Sequence, residues 1–74
     1  MGKYINSDPT ILSGMPVIKG TRVPIEVILH RLKEGNSLTV IHDMYPYISL
    51  ETLSSAIEEA IQTINTNLYA EAAS

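Results

Sequence analysis

The chain of 74 residues contains no cysteine. Disulfide bonds and thiolate–metal staples are therefore excluded as sources of stability. No apolar run approaches the length that spans a membrane, and no signal-peptide pattern is present, so we expect a cytoplasmic protein without membrane contact. This length allows one small domain with little stability in reserve. Because 45% of the residues are apolar, we expect a folded domain that gains further burial from a partner or from a second copy of itself.

The second half of the chain has no cation. Lysine and arginine occur only in residues 1–33, which carry a net charge of +3, whereas residues 34–74 carry six acidic residues and a net charge of −6. Two interpretations remain open. The division arises by chance in a short chain, or it marks two faces that meet different partners.

Motifs of catalysis and metal binding are also missing. The two histidines, His30 and His42, have no His-x-x-His or Glu-x-x-His spacing that would build a metal site. No Ser-His-Asp set and no glycine-rich phosphate loop followed by a Walker lysine is present. We therefore predict a non-catalytic protein with no cofactor and no metal. A magnesium site built from acidic residues between positions 43 and 59 is the alternative that we do not favour.

The sequence is organised around residues 14–25, in which two glycines and two prolines bracket short β-branched runs. We predict that this segment forms a turn, an extended segment, a Gly-Thr corner and the start of a helix, in that order. Its extended part, Val17–Ile18, is one predicted strand, and residues 10–12 are the other. The sequence leaves open whether these strands pair within one chain or between two.

The first helix is predicted over residues 24–34. Pro24 suits the first turn of a helix, where its missing N–H group would lack an intrahelical partner in any case. Gly35 follows the helix, at a position where a left-handed residue commonly ends one. The apolar residues have the i, i+3, i+4, i+7 spacing of one buried face, and they are Ile25, Ile28, Leu29 and Leu32.

The second and third helices are predicted from their caps. Ser37 is placed to cap the second helix, and Pro46 ends it after about two turns. Ser49 is placed to cap the third helix, and Ile48 and Leu53 have the spacing of a hydrophobic staple around that cap. The third helix carries one long apolar stripe, which consists of Leu50, Leu53, Ile57, Ala60, Ile61, Ile64 and Leu68.

These elements predict a mainly α fold, in which three helices form a helix-turn-helix arrangement behind a short N-terminal β element. We divide the chain into an extended N-terminal arm, residues 1–23, and a three-helix part, residues 24–74, within a single folding unit. Residues 65–67 are weak helix formers, so the third helix is expected to end anywhere after Ile64.

The chain resembles a known family in three places. They are the run Gly14-Met15-Pro16-Val17-Ile18-Lys19-Gly20-Thr21-Arg22-Val23-Pro24 with Asp8-Pro9 before it, the segment from Leu32 to Ser37, and Tyr45-Pro46 with Leu50, Leu53, Ala56 and Ile57 after it. On these residues the chain is similar to domain of unknown function 433. The resemblance implies a homeodomain-like helix-turn-helix protein with a small β element. It also implies the antitoxin of a bacterial toxin–antitoxin pair, whose toxin resembles a PIN-type ribonuclease.

Four cations are the candidate DNA contacts, namely Lys19, Arg22, Arg31 and Lys33. A helix that reads bases normally begins with Arg, Lys, Asn or Gln and is surrounded by cations that meet phosphates. The third helix has no cation and begins with Leu50 and Glu51, so we do not expect it to read the major groove. Arg22 has a second interpretation, in which its guanidinium is structural and holds carbonyl or carboxylate groups near the corner.

The third helix is too long for the other two to cover it. At 1.5 Å per residue, a helix that reaches Leu68 spans about 30 Å, about twice the length of the first helix. We therefore predict a surface for a second copy or a protein partner, made by Ile57, Glu58, Ile61, Ile64 and Leu68. In the alternative interpretation, the N-terminal strands fold back over the apolar residues and the glutamates form an ordinary solvated face.

Three functions are compatible with these features. The first is a dimeric antitoxin that neutralises a PIN-like ribonuclease through its acidic helix. The second is a helix-turn-helix transcriptional regulator that binds DNA, alone or to regulate its own operon. The third is a structural helical dimer with neither role.

Overall fold

The computed structural model describes residues 2–10 and 12–73, with side chains as far as Leu68. The order of elements is strand β1, strand β2 and helices α1, α2 and α3. Their bounds are Ile5–Asn6, Val17–Ile18, Ile25–Lys33, Leu38–Met44 and Leu50–Ala73. The predicted mainly α fold with a short N-terminal β element is confirmed, whereas the likeness to a homeodomain stays a prediction.

The β element pairs within the chain. Strand β1 runs antiparallel to β2, with Ile5 opposite Ile18 and Asn6 opposite Val17. The prediction of β2 is confirmed. Ile5 and Ile18 are both buried, 4% and 0% exposed, so this register points the apolar pair toward the helices.

The predicted strand at residues 10–12 is wrong. Thr10 lies in a turn, because the carboxylate of Asp8 accepts hydrogen bonds from both the N–H and the hydroxyl of Thr10, at 2.9 and 2.7 Å. The same two bonds lower the pKa of Asp8. Leu12 begins a short 3-10 helix, Leu12–Gly14, and Ile11 lies outside the described residues.

Strand β2 is bordered on its second edge by the chain just before α1. The N–H of Ile18 donates to the carbonyl of Val23 at 2.9 Å, and the N–H of Ile25 donates to the carbonyl of Pro16 at 3.0 Å. Gly20 makes the corner between these segments with φ +82°. Pro24 is extended and forms a bridge to Val17, so it precedes α1 and does not occupy the first turn as predicted.

The helix ends follow the predicted caps. Gly35 has φ +94° after α1, and the Ser37 hydroxyl accepts a hydrogen bond from the N–H of Val40 at the start of α2. The Ser49 hydroxyl accepts one from the N–H of Thr52 at 3.1 Å in α3. Side-chain caps of this kind are worth about 1 kcal/mol each.

His42 connects α2 to the turn that precedes α3. Its Nδ1–H donates to the carbonyl of Ile48 at 2.7 Å. The carbonyl can only accept, so this bond requires a proton on Nδ1. Ile48 and Leu53 are buried on either side of the Ser49 cap, 2% and 0% exposed, as the staple spacing predicted.

The core lies where the inner faces of the three helices meet the β element. Its largest fully buried side chains are Ile18, Ile28, Ile41, Leu53 and Val17. No buried polar or charged residue is found among the described residues, so apolar burial supplies most of the stabilisation. Across the described ranges, no helix combines the length and the apolar character needed to cross a membrane.

Candidate functional site

Helix α3 extends beyond the core. Among the side chains described as far as Leu68, the last buried one is Ala60, and every residue from 61 to 68 is exposed. Helices α1 and α2 have 9 and 7 residues and α3 has 24, so they span about 13, 10 and 36 Å. The predicted exposure of the distal apolar residues is confirmed, because Ile61, Ile64 and Leu68 are 45%, 51% and 58% exposed. The alternative, in which the N-terminal strands cover them, is wrong.

The first half of α3 exposes acidic and polar side chains. Glu51, Ser54 and Glu58 lie on one side of the helix and all three are exposed. Leu50, 43% exposed, and the half-buried Ile57 border them. We name these five residues, which stand at positions i, i+1, i+4, i+7 and i+8 of the helix, the acidic outer face.

The outer face is continued at both of its edges. Tyr47, in the turn that leads into α3 at Leu50, is 70% exposed. Along the side of α3 that contains Glu58, an open groove of about 550 Å³ separates the helix from the N-terminal arm. Lys3 and Tyr4 form the arm side of this groove. Ser54 and Glu58 of the outer face form part of its helix side.

Glu59 does not belong to the outer face. Its carboxylate accepts hydrogen bonds from the N–H groups of Tyr4 and Ile5, at 3.2 and 3.0 Å. A side chain at Gly2 would overlap the same carboxylate. Glu59 therefore holds the arm against α3. Sequence reasoning missed this role, because the two partners lie 54 and 55 residues away and no local signal connects them.

The family comparison matches residues 5–60 to the family described as "Protein of unknown function (DUF433)". The chain belongs to the DUF433 family. A relative of this DUF433 chain, "Uncharacterized protein y4eO" of Sinorhizobium fredii (strain NBRC 101917 / NGR234), is 31% identical over 70 residues. The alignment covers 95% of this chain and 27% of the relative, so the chain spans about a quarter of that protein's length. No solved structure matches the chain.

The family match coincides with the folded core of this DUF433 chain. It begins at Ile5, the first residue of β1, and ends at Ala60, a buried residue of α3 that is followed by the exposed residues 61–68. The acidic outer face lies within the matched range. Residues 61–68, with the three exposed apolar side chains, lie beyond it.

The DUF433 chain does not bring its four candidate DNA contacts together. Lys19 and Arg22 precede α1, whereas Arg31 and Lys33 lie in its last turn, about 13 Å along the helix. Lys19, Arg22 and Lys33 are exposed, and none forms an ion pair with the side chains of residues 2–10 and 12–68.

Arg31 is the most constrained of the four. It forms an ion pair with Glu34 at 3.0 Å, and its backbone carbonyl accepts two hydrogen bonds from Asn36, one of them from the side-chain amide at 3.0 Å. The carboxylate of Glu34, followed by the hydroxyl of Tyr45, raises the pKa of Arg31. A guanidinium held in this way supports the loop between α1 and α2 and is less available to a phosphate.

In the described part of the DUF433 chain, no group of three or more His, Asp or Glu side chains is close enough to hold a metal ion. The acidic side chains are divided among different elements. Glu59 contacts the arm, and Glu58 accepts a hydrogen bond from the Gln62 amide at 3.0 Å.

Proposed function

We propose that this DUF433 chain is a non-catalytic, cytoplasmic binding protein, the antitoxin of a type II toxin–antitoxin pair that neutralises a PIN-like ribonuclease. The observation that supports the proposal is the acidic outer face of α3. A protein partner is recognised there by carboxylates beside apolar anchors. The family resemblance supplies the class of partner.

The charge of the outer face favours protein over nucleic acid. In a helix-turn-helix protein, the outer face of the second helix of the motif meets the major groove. Here the corresponding face carries Glu51 and Glu58, and α3 has no cation, so it would repel phosphate. A nuclease needs a basic cleft for the phosphates of its substrate. An acidic helix has the charge to occupy such a cleft in place of RNA.

Apolar residues at the edge of the face supply the anchors. Tyr47 and Leu50 are 70% and 43% exposed. Aromatic residues are enriched among the side chains that dominate binding energy. Glu51 and Glu58 then fix the orientation of the partner, because charges across an interface contribute specificity and association rate more than affinity.

Reversal of one charge on the outer face tests the proposal. We expect Glu58→Lys to raise the dissociation constant for the ribonuclease about 10- to 100-fold, because it replaces an attractive contact with a repulsive one. Asp43→Lys is the matched control, since Asp43 is exposed on α2 and the change in charge is the same. The measurement is calorimetric titration of each variant into the PIN-like ribonuclease encoded beside it.

Two results would contradict the proposal. In the first, the wild-type chain neither binds nor inhibits that ribonuclease. In the second, both charge reversals weaken binding equally. Binding would then depend on the net charge of the chain and not on contacts made by the outer face.

A second candidate function is DNA binding with autoregulation of the operon. It is favoured by Lys19 and Arg22, which are exposed and form no ion pair in the described part of the chain. The two functions are compatible, because these cations lie outside the acidic outer face.

The salt dependence of DNA binding tests the second function. Each phosphate contact contributes about 0.9 to the slope of log affinity against log salt concentration. The double variant Lys19→Ala, Arg22→Ala is therefore expected to reduce that slope by about 2 on the chain's own promoter. Lys3→Ala, which removes a cation from the arm, is the control. A wild-type chain without salt-dependent binding at low ionic strength would exclude this function.

A further inference from the structure

We propose that the groove between the N-terminal arm and α3 receives an arginine side chain of the protein partner. This inference deepens the proposed function and rests on it for the source of the arginine. The groove has a volume of about 550 Å³, within the range of about 300 to 1,000 Å³ that is typical of ligand sites. Its arm side is formed by Lys3 and Tyr4, and its helix side includes Ser55, Glu58 and Gln62.

The charge of the groove favours a cation. The described residues around it include two carboxylates, those of Glu58 and Glu59, and the ammonium group of Lys3, so the net charge is −1 at neutral pH. Glu59 is already engaged, because its two oxygens accept hydrogen bonds from the N–H groups of Tyr4 and Ile5. Glu58 is exposed and is therefore the carboxylate that a cation of the partner meets.

The hydrogen-bond acceptors of the helix side match a guanidinium group. The side-chain NH₂ of Gln62 donates to Oε1 of Glu58 at 3.0 Å, which leaves the other carboxylate oxygen and the Gln62 carbonyl to accept from a ligand. The hydroxyls of Ser54 and Ser55 lie on the same side of the groove and also accept. A guanidinium presents its N–H donors as a planar fork, whereas an ammonium is a compact point charge. Acceptors spread along one helix therefore favour arginine over lysine.

The arm side adds an aromatic ring on a backbone that is already held in place. Tyr4 is half-buried and packs against the core. Its N–H donates to Glu59 at 3.2 Å, and its carbonyl accepts from the N–H of Lys19 at 2.9 Å. Guanidinium groups stack on aromatic rings. Because this wall of the groove is fixed before binding, little conformational entropy is lost when a ligand enters.

Lys3 opposes a cationic ligand and so provides a sharp test. It is exposed on the arm side of the groove, where it repels an incoming arginine. We expect Lys3→Ala to lower the dissociation constant for the ribonuclease about 2- to 5-fold in calorimetric titration, the size of effect that exposed charge pairs give. Lys33→Ala is the matched control, because Lys33 is exposed in the last turn of α1 and the change in charge is the same. An equal gain in both variants, or an unchanged or weaker affinity of Lys3→Ala, would overturn the proposal.

Titration with two small cations tests the groove without the ribonuclease. N-acetyl-argininamide and N-acetyl-lysinamide carry the same charge, so a difference between them reports on the shape of the cation. At millimolar concentrations, the arginine compound is expected to shift the amide NMR signals of Ser55 and Gln62 more than the lysine compound does. Glu58→Gln is expected to lose most of this shift, and the amide of Asp43 on α2 is the control that stays unchanged. Equal shifts from the two compounds, or none, would overturn the proposal.

The two measurements separate this inference from the proposed function. A wild-type chain that prefers the arginine compound but does not bind the ribonuclease would keep the guanidinium site and remove the ribonuclease as its source. A chain that binds the ribonuclease, but no more tightly as Lys3→Ala, would keep the proposed function and exclude an arginine from the groove.

Discussion

Leu53→Ala is expected to lower the free energy of unfolding by about 3 to 4 kcal/mol, the largest stability effect that we predict. Leu53 is 0% exposed at the centre of the core, so the substitution removes buried apolar atoms and leaves a cavity that the short helices cannot close. A domain of this length has a total stability of about 4 to 11 kcal/mol. The variant is therefore expected to unfold partly at physiological temperature.

The control for this prediction is Leu50→Ala. Leu50 belongs to the same helix but is 43% exposed, and surface substitutions usually change stability by about 0.5 kcal/mol or less. Urea denaturation followed by circular dichroism, at one fixed protein concentration, measures both variants. Equal losses for the two would mean that α3 presents a different face to the core.

The helices were predictable because their signals are local. Gly35 adopts the left-handed conformation that ends α1, and the hydroxyls of Ser37 and Ser49 cap the next two helices. Each of these residues acts within four positions of its own place in the chain. Reasoning from a sequence reaches such interactions directly.

The first strand was not predictable in the same way. Residues 10–12 are apolar and β-branched enough to suggest a strand, but the carboxylate of Asp8 turns the chain there. The real strand, Ile5–Asn6, is selected by pairing with Val17–Ile18. That pairing joins residues that are far apart in sequence, and the two-residue strand has no pattern of its own.

The candidate site was partly predictable from length alone. A helix of 24 residues next to helices of 9 and 7 residues must leave part of its stripe uncovered, and the three exposed residues are those that the spacing indicated. The division of α3 was not predictable, because it depends on where the core ends. Ile57 and Glu58 lie in the half of α3 whose inner face packs on the core. Ile61, Ile64 and Leu68 lie in the half beyond the core.

The second large effect is expected at Glu59. We expect Glu59→Gln to lower the free energy of unfolding by about 2 kcal/mol, because hydrogen bonds to a charged group contribute about 1.5 to 3 kcal/mol. The glutamine keeps the volume, but it loses the charge and can turn its NH₂ group toward the N–H groups of Tyr4 and Ile5. Urea denaturation measures the loss.

The geometry of β1 explains why this carboxylate matters. Lys19 donates from its N–H to the carbonyl of Tyr4, so Ile5 and Ile18 form a non-hydrogen-bonded pair and the N–H of Ile5 points away from β2. An edge N–H without a partner invites pairing with another chain. Glu59 occupies this edge from α3 and so keeps the arm on its own chain.

Hydrogen exchange of individual amides separates this role from a general loss of stability. In Glu59→Gln, the amides of Tyr4 and Ile5 are expected to exchange faster under conditions where the core amides of Ile28 and Leu53 stay protected. Glu58→Gln is the control, because the carboxylate of Glu58 is next in sequence but accepts its hydrogen bond from Gln62 and not from the arm. Unchanged exchange at Tyr4 and Ile5 in Glu59→Gln would show that β2 alone holds the arm. The protection of the arm amides against exchange therefore reports directly on whether α3 or strand β2 anchors the N-terminal arm.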